Sequence, residues 1–72
     1  MEYVYLLLLG NGCEWEDMII LLSMEHAISE SIKHPNARVE IFSKNNEQEY
    51  TPTYDYYKNG NLVQASFLNI TT

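Results

Sequence analysis

The fold is decided by residues 3–22, which read YVYLLLLGNGCEWEDMIILL. Residues 3–9 form an unbroken apolar run that Gly10 closes, which is typical of a strand ended by a turn. Both the odd-numbered and the even-numbered residues of this run are apolar, as in a central strand. Residues 18–22 are a second run of the same kind. The loop between them is too short for a parallel crossover, so the two strands are predicted to form an antiparallel hairpin.

One amphipathic helix is predicted after this hairpin. Ser23 is a good N-cap, and Pro35 disfavours helical geometry at His34, so the helix should end near Lys33. A helix of about ten residues is marginal in isolation and depends on docking against the hairpin. Its apolar residues recur at helical spacing on one stripe: Met24, Ala27, Ile28 and Ile32.

The second half of the chain predicts three further strands. Residues 37–44 alternate in polarity, which indicates a strand covered on one side only. Residues 50–58 favour extended structure, but Pro52 removes a ladder donor and confines them to an edge or irregular strand. Asn59-Gly60 is the strongest hairpin signal, with residues 62–68 returning. The prediction is therefore a single compact α+β domain of residues 1–72, in the order β-β-α-β-β-β, with a mainly antiparallel sheet and one helix on one face.

Self-association is expected because the chain is short and its first two strands are apolar on both sides. A chain of 72 residues has a marginal core, and a lone cysteine, Cys13, excludes an internal disulfide. One helix covers one face of the sheet, so a second apolar face is left over. A two-fold homodimer is the simplest way to cover it. The residues expected to mediate it, or else their neighbours if the strand facing is shifted by one residue, are Tyr5, Leu7, Ile19 and Leu21.

The net charge of −6 lies entirely in residues 1–32, which contain no lysine or arginine. The tightest carboxylate cluster surrounds Trp15, and the favoured interpretation is a solvated rim with Trp15 folded onto the sheet. A binding anchor ranks second and a metal site last. An alternative function is an acidic decoy or inhibitor that mimics nucleic-acid phosphates and blocks a basic site on a host or viral protein. The acidic surface for such a partner comprises Glu14, Trp15, Glu16, Asp17, Glu25 and Glu30.

No catalytic residue, cofactor or metal site is predicted. A Cys13 nucleophile with His26 or His34 as base lacks an orienting group and an oxyanion motif. Both histidines lie one helical turn from Glu30 and are more simply its surface partners. The tyrosines of residues 50–57 are flanked by carboxylates rather than by a positive groove, which favours aromatic packing or a protein interface over base stacking.

Composition also bears on partners and location. The acidic total disfavours direct nucleic-acid binding, and the apolar runs are too short to span a bilayer. The start of the chain lacks the basic region of a signal peptide. We therefore expect an intracellular protein in a reducing compartment, without nucleic-acid or membrane binding, whose partner is a second copy of itself or a basic protein.

Of two resemblances, only the second extends these expectations. Residues 3–7, YVYLL, resemble the first strand of the GIY-YIG nucleases, but the second tyrosine motif, the catalytic arginine and the metal-binding glutamate of that family have no matching positions, so membership of that family is rejected. In its shortness and its asparagine and tyrosine content, the chain resembles small orphan proteins of large DNA viruses of amoebae, of the Marseillevirus or Mimivirus type. That second resemblance implies an abundant virion-associated or host-interacting protein without enzymatic activity.

Overall fold

The structure is a computed structural model that describes residues 2–10 and 15–65. Its strands pair antiparallel throughout in the spatial order β2-β1-β3-β4-β5, and a 3-10 turn at Trp15–Asp17 precedes β2. This confirms the predicted α+β class and element order. The elements are β1 (Tyr3–Leu8), β2 (Met18–Leu21), α1 (Met24–Lys33), β3 (Val39–Lys44), β4 (Tyr50–Lys58) and β5 (Asn61–Val63).

The β1–β2 hairpin forms as predicted, with Tyr5 opposite Leu21 and Leu7 opposite Ile19. β1 is a central strand because β3 pairs with its other edge. Directly opposed residues point to the same face of a sheet, so the odd-numbered residues of β1, β2 and β3 share one face. The helix packs on that face.

The helix begins and ends where the sequence predicts. The Ser23 side chain accepts a hydrogen bond from the His26 amide at 3.1 Å, which caps the N-terminus. The amide of His34 donates to the carbonyl of Glu30 at 3.1 Å and closes the last turn after Lys33.

The buried stripe of the helix is rotated from the predicted one. Ala27 and Ser31 are fully buried, whereas Met24 is 52% exposed and Ile32 is 59% exposed. The small side chains of Ala27 and Ser31 allow the helix backbone to approach the sheet closely, which larger residues at those positions would prevent. The prediction that Met24 and Ile32 face the core is therefore wrong.

The core lies between the helix and the odd-numbered face of the sheet. Leu7 and Val39 have no exposed surface at all. Leu9, Ile28 and Ala37 pack against its margin. Its buried apolar members are Tyr5, Leu7, Leu21, Ala27, Val39, Ile41 and Tyr57.

β4 is irregular, as the proline predicts. Phe42 pairs with Pro52 and Glu40 with Tyr56, so a two-residue step along β3 matches a four-residue step along β4. β4 therefore contains two extra residues between these two pairs. Because this number is even, the side chains of β4 before and after the irregularity keep the same alternation between the two faces of the sheet. β5 pairs only with the end of β4. Residues 66–68 of the predicted returning strand lie outside the described residues.

The β4–β5 turn forms at the predicted dipeptide. Asn59 has φ +51° and Gly60 φ +81°, the two positive values that a tight two-residue hairpin of this kind requires. The Gly60 amide donates to Ser31 Oγ at 2.9 Å, and Ser31 Oγ donates to the Ile28 carbonyl at 2.7 Å. The turn is thus tied to the helix by a fully buried hydroxyl.

Candidate protein interface

The face of the sheet opposite the helix is open. The helix contacts β1 to β4, and within the described residues no helix packs on the other side of these strands. Even-numbered residues of the first three strands point to this side, together with the residues of β4 and β5 that register with them. We call this surface the open face; its apolar and aromatic residues are Val4, Leu6, Leu8, Met18, Ile20, Phe42, Tyr50, Pro52, Tyr56 and Val63.

The apolar residues of the open face form one continuous surface. Leu6 lies between Ile20 of β2 and Glu40 of β3, and one step along β1, Val4 lies opposite Phe42. Ile20 is 65% exposed, while the central residues are half-buried by their strand neighbours. Leu22, just beyond β2, is 78% exposed. The most exposed apolar surface thus lies at the β2 edge.

The charged groups of the open face are mixed in sign. Arg38 forms an ion pair with Glu40, and its guanidinium lies 4.4 Å from the ring centroid of Tyr56, a cation–π contact. Lys44 Nζ binds Glu2 Oε1 at 3.2 Å, and Lys58 of β4 lies on the same side as Tyr56. This face therefore carries three positive and two negative side chains, although the whole chain is strongly acidic.

The predicted self-association residues require a correction. Tyr5, Leu7 and Leu21 are buried beneath the helix and are inaccessible to a second chain. Ile19, 38% exposed, also points to the helix side but lies at the sheet edge. The first two strands are apolar on both sides, so their alternation could not specify which side the helix would cover. The apolar residues that remain accessible are instead the even-numbered neighbours of the predicted residues in β1 and β2, which is the alternative set of the prediction.

The predicted acidic surface is only partly assembled. Glu14 lies outside the described residues. Trp15 is 85% exposed in the 3-10 turn, so its predicted folding onto the sheet is wrong. Glu16 is exposed beside it, Asp17 is half-buried, and Glu25 is exposed at the other end of β2, in the first turn of the helix.

Glu30 is a paired carboxylate rather than a free one. It lies 3.1 Å from Lys33 Nζ, 3.6 Å from His34 Nε2 and 3.9 Å from His26 Nε2, and its side chain is only 14% exposed. The hydrogen bond from Lys33 lowers the pKa of Glu30, the charges of Lys33 and both histidines add to this shift, and burial opposes it. The predicted role of the two histidines as its surface partners is confirmed.

Comparison with known proteins does not identify this chain: no family model, curated protein or solved structure matches it. The role of the open face must therefore be inferred from its own chemistry. Within residues 2–10 and 15–65, no three metal-ligating side chains of histidine, cysteine, aspartate or glutamate converge, and no helix there has the length and apolar character needed to cross a membrane.

The tyrosines of β4 divide between the two sides of the sheet. Tyr57 packs in the core, with its ring centroid 6.2 Å from that of Tyr5, whereas Tyr56 lies under Arg38 on the open face. The Tyr50 hydroxyl donates to Glu2 at 3.3 Å, and Tyr54 is 68% exposed. The sequence pattern does not predict the cation–π contact between Arg38 and Tyr56, because this contact depends on the register between β3 and β4.

Proposed function

We propose that this chain is a non-enzymatic protein-interaction or structural protein that acts as a homodimer, with the open face as its interface. One observation carries the proposal: an apolar sheet face that no described helix covers. A monomer would leave this face in water, at a cost of about 25 cal/mol for each Å² of apolar surface that a partner could bury.

The size of the open face supports a dimer. The five strands are three to nine residues long and contain 28 residues in all. At about 3.3 Å per residue and about 4.8 Å between strands, they project over roughly 440 Å². Two such faces in full contact therefore bury about 900 Å² in projection, and more when side chains are counted. That area is close to the lower bound of about 1,000 Å² for a specific protein interface.

The mixed charge of the open face favours a second copy over a basic partner. A two-fold contact places each patch against itself, so a patch with nearly equal numbers of positive and negative groups is compatible with its own image. The positive groups are Arg38, Lys44 and Lys58, and the negative ones are Glu40 and Glu2. A basic protein would be repelled by the three positive groups and would find better complementarity elsewhere on this acidic chain.

The proposal also has a cellular setting. The lone Cys13 supports a reducing intracellular compartment. The resemblance to small proteins of large DNA viruses of amoebae supports a dimer that is packaged in the virus particle. The acidic decoy remains the alternative, although Glu30, one of its carboxylates, is already paired.

The experiment compares two isoleucine-to-glutamate variants. Ile20 on the open face is 65% exposed and Ile32 on the helix is 59% exposed, so both substitutions add one charge to a similarly exposed position. We expect Ile20→Glu to be a folded monomer, because it places a carboxylate inside the interface. Ile32→Glu should remain a dimer. Light scattering over a range of protein concentration measures the mass, and circular dichroism checks the fold.

Two outcomes would contradict the proposal. The first is an unmodified protein that stays monomeric at every concentration tested. The second is a dimer that Ile20→Glu leaves intact.

A further inference from the structure

A groove of about 370 Å³ lies on the helix side of the sheet, beside the first residue of α1. Its lining includes three tyrosines and one carboxylate: Tyr3, Tyr5, Tyr57 and Asp55. Among the described residues that line it, none is a lysine, arginine or histidine. Two other grooves of similar size among the described residues each have two basic residues in their lining. This groove is therefore distinguished by its aromatic and acidic character.

The tyrosine rings form a fixed aromatic wall. Tyr5 and Tyr57 are each 7% exposed, and their ring planes are inclined to each other by 44°. Tyr3 is 43% exposed and lies two residues before Tyr5 on the same face of β1. Burial, and then the neighbouring tyrosines, raise the pKa of Tyr5, so its ring is neutral at physiological pH. The faces of such rings attract cations.

The carboxylate is held in place by the irregular part of β4. Thr53 Oγ1 donates to the Ile41 carbonyl at 2.8 Å and lies 3.2 Å from the Asp55 amide, which donates to it. The Ala65 amide donates to Asp55 Oδ1 at 2.9 Å. Asp55 Oδ2 has no hydrogen-bond donor among the described residues. One carboxylate oxygen is thus anchored and the other is available to a ligand.

We propose that this groove binds a small organic cation of the alkylammonium class. Asp55 supplies the counter-charge, the exposed ring of Tyr3 supplies a cation–π contact, and the largely buried rings of Tyr5 and Tyr57 supply an apolar wall for the alkyl groups. The volume suits a small molecule. The same chain already places a cation over a tyrosine on its opposite face, where Arg38 lies over Tyr56. The groove is separate from the open face, so this proposal does not depend on the dimer.

The test is a titration followed by amide NMR shifts, with choline as the probe. Its neutral isostere, 3,3-dimethylbutan-1-ol, has the same shape without the charge. We expect saturable shifts at the groove residues Tyr3, Thr53, Asp55 and Tyr57 with millimolar choline, and at least about fivefold weaker binding of the alcohol. Equal binding of the two probes, or no saturable shift with choline, would overturn the proposal.

Matched variants test the carboxylate. Asp55→Asn should weaken choline binding at least about fivefold, because the electrostatic part of the attraction is lost. Glu47→Gln removes the same charge from an exposed turn and should leave the affinity unchanged. Equal effects of the two substitutions would contradict a site at Asp55. If Asp55→Asn does not fold, Tyr3→Leu replaces it, since Tyr3 is partly exposed; unchanged affinity in that variant would also contradict the site.

A third probe distinguishes the source of the cation. N-acetyl-Nε-trimethyl-lysine methylamide presents the same trimethylammonium group as choline, as part of a peptide unit. Weaker binding than choline supports a free small molecule as the ligand. Tighter binding than choline would overturn the small-molecule assignment and indicate a methylated lysine side chain of a protein partner.

Discussion

At the scale of single residues, Glu2 shows how one surface carboxylate joins three strands. It precedes β1, its side chain accepts hydrogen bonds from Lys44 of β3 and Tyr50 of β4, and its carbonyl accepts from the Lys44 amide at 3.0 Å. The hydrogen bond and charge of Lys44, followed by the Tyr50 hydroxyl, lower the pKa of Glu2 below its ordinary value of 4.5. The folded state therefore prefers the ionised form.

This shift makes a prediction about pH. Because the folded pKa is lowered, the contribution of Glu2 to the free energy of unfolding is present above pH 4.5 and is lost as the pH falls through the folded pKa. Carboxyl NMR titration should give Glu2 a pKa below 4.5, and Lys44→Met should raise it towards that value.

The control for this prediction is another lysine. Lys58 Nζ binds the Pro35 carbonyl at 2.8 Å rather than Glu2, so Lys58→Met should leave the Glu2 titration unchanged. If Lys44→Met and Lys58→Met had the same effect, general charge rather than the specific contact would explain the shift.

At the scale of elements, the helix and the β4–β5 hairpin are joined at one point. Ser31 is buried and links the Ile28 carbonyl to the Gly60 amide. A Cβ on Gly60 would lie 3.1 Å from side-chain atoms of Ile32, and its φ of +81° also disfavours a side chain. Close packing and a positive φ therefore both favour glycine in this turn.

Replacement of Ser31 tests this junction. Ser31→Ala would leave the Gly60 amide without its partner in a partly buried site, which should lower the free energy of unfolding by about 1–3 kcal/mol. Ser29→Ala on the same helix changes an exposed serine and should have little effect or slightly stabilise the helix. Urea unfolding of both variants measures the difference. Equal stabilities would mean that the Ser31 hydroxyl is not needed for docking.

At the scale of the whole molecule, charge and apolar surface are separated. The chain has a net charge of −6, yet the open face carries three positive and two negative side chains. Two copies that meet through the open face repel each other through their remaining acidic surfaces, while their contact is apolar. Self-association should therefore be driven by burial and opposed by long-range charge.

This separation predicts an unusual dependence on salt. Between about 50 mM and about 500 mM NaCl, the dissociation constant of the proposed dimer should stay constant or fall, because salt screens the repulsion between copies. Sedimentation equilibrium measures it. A dimer that dissociates as salt is added would argue against an apolar interface. A decoy bound to a basic protein should, by contrast, lose its partner steeply over this range.

The sequence alone determined the features that depend on neighbouring residues. Ser23 and Pro35 define the helix ends through local hydrogen bonding and sterics, and Asn59-Gly60 defines a turn through its positive φ values. Alternation in residues 37–44 correctly indicated one covered face. These effects act within a few residues, so pattern reasoning could predict the elements, their order and the existence of a surplus apolar face.

Only the tertiary structure decided which side of the sheet the helix covers. The hairpin strands are apolar on both sides, so Leu6 and Leu7 look equally suited to the core until α1 docks. The stripe through Ala27 and Ser31 is likewise chosen by close packing, which hydrophobicity alone does not indicate. The groove unites Tyr3 with Asp55, far apart in sequence, because strand register and the irregularity in β4 place them together.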